Sequence, residues 1–276
     1  MTQFAVCSYS FHRALAAGEQ DIFRYISDCK ELGMAQLDPW NGHLVPISEE
    51  SDRLKASDPD APLSSESIAY LEQVKAAGDA VELSFGCVAV DGAHVYEPTA
   101  EARRANRGAA YRWIDAARRL GARQIRLDAG GPEELTDEIF DIIVEGYHDI
   151  VKRAADNGVE VVMENHWGSS HIPTNVVRIL DAVDGLGLLF DSHNWAEGLR
   201  EEGWQRCAKY ARAAHIKTFE FDDDGNDPAG EIPRVIHLLA DAGYDDVWGI
   251  ESVPYDGDEY GAVKKTMALI ERSLQG

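Results

Sequence analysis

Lysine is the rarest charged residue in this chain. Only 8 of the 26 basic residues are lysine and 18 are arginine, against 49 acidic residues, which leaves a net charge of -23 and a pI near 4.6. So large a deficit of positive charge argues against a nucleic acid or an anionic membrane as partner, because a polyanion needs a basic footprint. Cysteine is scarce as well. Cys7, Cys29, Cys87 and Cys207 contain no CxxC pair and are too few for a disulfide scaffold, so they read as reduced, mostly buried thiols. No apolar run reaches membrane-spanning length, and the N-terminus lacks a charged segment followed by an apolar one. The expectation is a soluble, cytoplasmic protein. A GxGxxG turn after the first apolar run is also missing, which removes the usual sign of a dinucleotide-binding open sheet.

What is present begins with the acids themselves. They are spread along the chain instead of forming a tail, the pattern of a hydrated acidic surface suited to high salt, where screening suppresses self-repulsion. This predicts a halophilic protein; an ordinary acidic enzyme is the alternative.

Short apolar runs alternate with helical patterns from one end to the other. The runs fall at residues 4–7, 35–38, 81–85, 124–128, 159–164, 186–191, 213–217 and 247–251. Helical spacing occupies 21–32, 65–77, 99–120, 136–157, 174–183, 198–210, 232–242 and 260–274, with a long polar loop expected over 39–64. Eight pairs in 276 residues give about 34 residues per pair, a normal length for a βαβ unit. Strict alternation implies a parallel sheet, since each helix carries the chain back across it. The expected fold is therefore α/β, a (β/α)8 TIM barrel forming one domain over residues 1–276, with an open doubly wound sheet as the rival.

The last four runs share a plan: each ends in a possible metal ligand, Glu164, Asp191, His215 and Glu251. Active sites of such barrels lie at the carboxyl ends of the strands, so these four side chains converge on one point. Three crowded carboxylates repel one another unless a cation neutralises them. One imidazole and three carboxylates suit a single divalent metal ion, Mn2+ best, with Mg2+, Co2+ or Zn2+ compatible. Residues two further along point to the same side, making His166, His193 and Lys217 a second tier of substrate-binding candidates. Lys217 has an equally good reading as a neutraliser of the carboxylates. Arg126 and Asp128 on the fourth strand read as a structural ion pair across the rim. His12, Trp40, His43, Trp167, His171 and Trp195 lie near strand ends, where they either line a sugar pocket or pack loops.

The order Glu164, Asp191, His215, Glu251 on strands five to eight resembles the metal site of the xylose isomerase-like TIM-barrel superfamily, the sugar phosphate isomerase/epimerase group. That group also holds ketose 3-epimerases, inosose dehydratases and endonuclease IV. The resemblance covers the whole chain as element order and is sharpest from Val161 to Glu251. It implies a metal-dependent isomerase or epimerase acting on a small carbohydrate, with Glu164 and Glu251 as catalytic proton carriers. It also implies a homo-oligomer, since related barrels often form dimers or tetramers. A lyase of the inosose dehydratase kind is the alternative on the same site.

Two positions depart from the ketose 3-epimerases. Asn194 stands where they carry a substrate-binding His, and Phe221 where they carry an Arg. Asn194 and the acidic surface also weigh against endonuclease IV, whose three-metal cluster uses a His at that place. A silent sugar-binding barrel is the fourth reading.

Overall fold

A computed structural model describes residues 2–275. Nine strands run parallel: β1 (Phe4–Val6), β2 (Gln36–Leu37), β3 (Ser84–Phe85), β4 (Cys87–Val90), β5 (Gln124–Leu127), β6 (Glu160–Glu164), β7 (Gly187–Asp191), β8 (Ala211–Thr218) and β9 (Trp248–Ser252). Seven of them form one curled sheet in the order β1-β9-β8-β7-β6-β5-β4, and β2 pairs with β3. Isolated bridges from Cys7 to Asp38 and from Trp40 to Ala89 tie the short pair to both edges of the long sheet. The hydrogen bonds Ser8 N–H to Asp38 O (3.1 Å) and Ala89 N–H to Pro39 O (2.9 Å) complete the ring.

β3 and β4 are two halves of one stave, interrupted at Gly86. A Cβ there would overlap the Gln36 amide and Asp38 Oδ1, so only glycine lets β2 pass so close. Counted by staves, the barrel has the eight expected from the sequence, and β6 to β9 are the fifth to eighth.

Among the described residues ten α-helices return the chain: α1 (His12–Ala16), α2 (Ile22–Leu32), α3 (Val45–Ser57), α4 (Ser65–Ala80), α5 (Ala100–Leu120), α6 (Asp137–Ala155), α7 (Pro173–Ala182), α8 (Arg200–Cys207), α9 (Ile232–Asp241) and α10 (Glu259–Gln275). Their starts follow local chemistry. Asp21, Ser64, Thr99 and Thr136 each accept a backbone N–H from the first turn, and Gly33 and Gly121 end α2 and α5 in the left-handed region. No helix among the described residues is long and apolar enough to cross a membrane.

Two expectations are corrected. The loop expected over 39–64 contains α3, whose buried stripe is Ile47, Ser51 and Leu54. A serine in the middle of that stripe, inside a run of acids, hides the helical period. The third run was expected at 81–85, but Val81 closes α4 and Glu82 takes a positive φ of 60°. The stave instead continues through Gly86 into Cys87–Val90.

Most of the core lies between the sheet and the helices in one cluster reaching from Phe4 to Ile270. A second, small cluster of Cys87, Val162 and Leu189, with Ala213 against it, fills the barrel interior. Val162, Leu189 and Ala213 each lie two residues before Glu164, Asp191 and His215, so they face the same way one level below. The candidate site therefore stands on an apolar floor.

Candidate metal centre

The carboxyl ends of β6 to β9 bring Glu164, Asp191, His215 and Glu251 together. One ligand-type atom from each lies within 4.8 Å of the others. All four are buried, from Asp191 at 0% exposure to Glu251 at 6%. His215 Nδ1 is 3.4 Å from Glu164 Oε1 and 3.1 Å from Glu251 Oε2. Register sets these heights. Asp191 pairs with His215 and His215 with Gly249, while Glu251 is level with Lys217. A Cβ at Gly249 would run into Ala214 O, so glycine lets β9 lie close against β8 beside the imidazole.

Whether these groups suit a cation is a question of donor chemistry and of polar atoms in need of partners. Glu164 Oε2, Asp191 Oδ2 and His215 Nδ1 are buried and make no well-aligned hydrogen bond among the described residues, each facing a charged neighbour instead: Arg126 Nε at 3.0 Å, Lys217 Nζ at 3.3 Å and Glu251 Oε2 at 3.1 Å. Three carboxylates and an imidazole this close keep lone pairs aimed at one another, and a divalent cation with oxygen and imidazole ligands would take them up. The residues fit the group.

Lys217 occupies a different place from the second tier expected of it. Its Nζ sits among the carboxylates, 2.6 Å from Glu251 Oε1 and 3.3 Å from Asp191 Oδ2, and donates to Asn194 Oδ1 at 3.0 Å. Of its two readings, this geometry is that of the neutraliser. His166 lies at the rim, its side chain 33% exposed, with Nδ1 3.1 Å from Asp128 Oδ2. His193 packs edge-on against Phe219 and lies 3.4 Å from Arg200, outside the cluster.

Sequence reasoning missed the reach of Arg126. The expected pair with Asp128 is present at 3.1 Å, but Arg126 Nε also lies 3.0 Å from Glu164 Oε2, and Nη1 binds Asp91 at 2.7 Å and Val90 O at 3.0 Å. In-facing parity on β5 was the available signal. Asn165 was missed too: its amide accepts from Asp191 N–H and donates to Asp191 O, both at 2.9 Å, clamping the end of β7. Asn194 N–H donates to Asp191 Oδ1 at 2.8 Å, and Cys7 lies within 4.8 Å of His215 and Glu251. Asp91, Asp128 and His166 form another close group, and Arg126 contacts both of its carboxylates as well as Glu164.

The other rim residues divide. Trp40 and Trp167 donate to Asp91 and Asp128 at 2.7 and 3.1 Å, and His12 stacks on Tyr9. His43 is buried against Ser8, Trp195 packs on Phe190, and His171 pairs with Glu133.

Charge tuning follows from these contacts. Burial pushes every carboxylate up. At Glu164 the Arg126 guanidinium, with His166 and His215, outweighs burial and holds the carboxyl below its ordinary value. At Glu251 Lys217 and His215 do so more strongly, placing it well below. At Asp191 burial wins, helped by Glu251 and Glu164, and the carboxyl is raised despite Lys217. Burial opposes charge on His215, yet Cys7, Glu164 and Glu251 raise it well above an ordinary imidazole. Burial likewise opposes charge on His166, but Glu164 and Asp128 lift it to about 9.

Comparisons with known proteins agree with the fold. No curated protein sequence matches this one. Among solved structures, the IolI protein with a bound zinc atom superposes with TM-score 0.74 at 14% identity, covering 99% of both chains. D-psicose 3-epimerase with D-tagatose from Clostridium cellulolyticum H10 gives 0.68 at 14% identity over 99% of this chain and 96% of that one. The probable 3-DHS dehydratase AsbF from Bacillus anthracis gives 0.67 at 14% identity over 98% and 99%. At such identities the likeness is one of fold. The sequence model of the xylose isomerase-like TIM barrel, however, matches residues 26–273. The chain belongs to the xylose isomerase-like TIM barrel family.

Proposed function

We propose that this protein is a divalent-metal-dependent sugar isomerase or epimerase that moves a proton at the carbon beside a carbonyl group. One observation carries the reading: four buried, convergent ligand-type side chains, three carboxylates and one imidazole, on an apolar floor. Glu164, Asp191, His215 and Glu251 would hold the ion. The three-oxygen, one-nitrogen donor set favours Mn2+, with Mg2+, Co2+ or Zn2+ compatible. When bound, such a cation supplies Lewis acidity to a carbonyl and its neighbouring hydroxyl.

The chain's own residues do the rest. One of Glu164 and Glu251 takes the proton from carbon; the C–H electron pair becomes a carbon–carbon double bond as the carbonyl π pair moves onto oxygen, giving an enediolate. The other glutamate returns a proton, to the opposite face in epimerisation or to the neighbouring carbon in isomerisation. Arg126 and Lys217 keep the two carboxylates ionised, and the floor of Cys87, Val162 and Leu189 excludes water beneath them. The substrate class is a small carbohydrate ketone or aldehyde.

A second reading on the same site is dehydration of a polyhydroxy ketone; Asn194 and Phe221, in place of the His and Arg expected of a ketose 3-epimerase, weigh against that particular epimerase. Incubating Mn2+-loaded protein with a ketose, aldose and inosose panel in D2O, followed by NMR, separates the two. Deuterium at the α-carbon with the hydroxyl retained supports the first; a deoxy or unsaturated product supports the second. Glu164→Gln and Glu251→Gln are each expected to lower turnover by about 100-fold or more. Undiminished turnover in EDTA would sink the metal-dependent reading, and three zinc ions per chain would point to the endonuclease instead.

A further inference from the structure

The outer wall of the barrel carries a cavity of about 800 Å3, formed by α5, α6 and the segment 59–63 between α3 and α4. None of its lining residues belongs to the metal centre, and its volume is that of a small-molecule site. Five of the side chains that line it are arginines, Arg103, Arg104, Arg107, Arg112 and Arg153, against the three carboxylates Asp60, Asp115 and Glu145. In a chain of net charge -23 this local balance has the opposite sign to the whole.

Two of these arginines are already neutralised, Arg104 by Asp60 and Arg107 by Asp149. The other three are not. Carboxylates outnumber basic residues 49 to 26, yet Arg13, Arg103, Arg112, Arg153 and Arg272 make no ion pair among the described residues, and three of these five line this one cavity. Arg103 Nη1 donates only to carbonyl oxygens, of Glu97 at 2.7 Å and Pro98 at 3.1 Å. Arg112 is 4% exposed. Its guanidinium donates to Pro59 O at 2.8 Å, Ala61 O at 3.2 Å, Ser51 O at 3.1 Å and Ser51 Oγ at 3.3 Å, all neutral acceptors. These bonds fix the 59–61 segment as a wall of the cavity, but they leave a buried positive charge without a counterion, which is costly. Arg153 lies over the Tyr111 ring at 5.0 Å. Of the lining carboxylates, Asp60 is taken by Arg104 and Asp115 by Arg118 and Arg119, so only Glu145 opposes the three unpaired guanidinium groups.

We propose that this cavity binds a small organic phosphate, whose dianionic head is neutralised by the unpaired arginines and whose apolar body lies against Pro62, Leu63 and Ile142. Guanidinium groups present forked donors that match phosphate oxygens two at a time. Three uncompensated positive charges against one glutamate call for a dianion more than for a single carboxylate. The volume and the apolar lining call for more than an inorganic ion, which would leave most of the space unfilled.

The test compares binding, not turnover. The full chain is titrated calorimetrically with 1-naphthyl phosphate, adenosine 5′-monophosphate, their uncharged parents 1-naphthol and adenosine, and inorganic phosphate, with Mn2+ and again in EDTA. At least one ester is expected to bind about tenfold tighter than its parent and than inorganic phosphate, with and without metal. Arg153→Gln should weaken that ester about threefold or more, and the double variant Arg103→Gln/Arg153→Gln about tenfold. Arg272→Gln, at an unpaired arginine on α10, should change nothing. The Arg153 side chain is exposed, so its single variant guards against misfolding, with circular dichroism as the check. Esters that bind no tighter than their parents or than inorganic phosphate, binding that needs Mn2+, or ester affinity unchanged in Arg153→Gln and in the double variant would each overturn the inference. None of these outcomes touches the reading of the metal centre.

Discussion

Arg126→Met is the sharpest test of how the cluster is held together. Arg126 is 3% exposed and Glu164 is 1% exposed, so neither charge is solvated. At 3.0 Å from Glu164 Oε2 and 3.1 Å from Asp128 Oδ2, each pair is worth about 5 kcal/mol gross at an effective dielectric near 20. Removing the guanidinium also relieves its own desolvation, so the net cost is smaller. Breaking a buried pair by deleting one partner typically costs about 3–5 kcal/mol, because the other charge is stranded. Against a total stability of roughly 5–15 kcal/mol that is a large fraction. Urea unfolding followed by circular dichroism in EDTA should show a loss of this size for Arg126→Met. Arg126→Lys should fall between, since it keeps the charge but not the fork that reaches Glu164 and Asp91 together. Saturating Mn2+ should narrow the gap between Arg126→Met and wild type by neutralising Glu164 from its other side. A loss below about 1 kcal/mol in EDTA would refute the reasoning, because it would mean that Glu164 and Asp128 do not need this cation.

Metal itself should stabilise the fold: at 100 times its dissociation constant the gain is about 2.7 kcal/mol, a rise of roughly 5–10 °C in a thermal scan, and no shift would argue against a cation site. Apparent Mn2+ affinity should rise with pH. His215 is held protonated well above the ordinary imidazole range and must release that proton to coordinate, so calorimetry in buffers of different ionisation enthalpy should detect proton release. Asp38→Asn is expected to stabilise the protein at pH 8 and not at pH 4. Burial, only partly offset by the Cys87 N–H bond and His215, raises the carboxyl from 3.8 to about 6. The folded value is above the unfolded one, so stability is full below about pH 4 and lost as pH rises through about 6. Removing the charge restores up to about 2–3 kcal/mol at pH 8, less any need of the new amide for an acceptor. Finally, at a net charge of -23 the unfolding midpoint should climb with KCl as the Debye length falls from about 10 Å to about 3 Å between 0.1 and 1 M; full stability in dilute buffer would discard the halophilic expectation.

The barrel was legible in the sequence where burial on both faces of a strand produced short apolar runs, as at Val161–Met163 and Leu188–Phe190, and where capped helices such as α2, α5 and α6 marked the segments between runs. It was not legible where two demands met in one segment. At Gly86 the residue that reads as a stop is there to admit Gln36 and Asp38, and the stave runs on. In α3 the residue on the buried stripe is a serine, because Ser51 receives Arg126's counterpart outside the barrel, Arg112, through its Oγ and carbonyl oxygen. Local pattern reports one partner at a time, and these positions answer to two.

The candidate site shows the same limit at a finer scale. Period-two alternation identifies which side chains face the barrel interior, and so which residue types meet: Glu164, Asp191, His215 and Glu251 follow from strand ends alone. Height is another matter, because a closed barrel staggers its strands and neighbours of equal parity need not be level. His215 pairs with Gly249 and Lys217 with Glu251, so Glu251 stands a level above His215 and its carboxylate meets the expected second-tier lysine there. Arg126 reaches Glu164 across the β5–β6 boundary for the same reason. The consequence is a charge balance that residue types alone do not reveal. With His215 neutral, as a ligand must be, three carboxylates against Lys217 and an Arg126 shared with Asp91 and Asp128 leave the cluster net negative. A divalent cation would offset that charge, and proton transfer from carbon to a glutamate would leave the total unchanged while moving negative charge from the carboxylate to a substrate oxygen beside the cations.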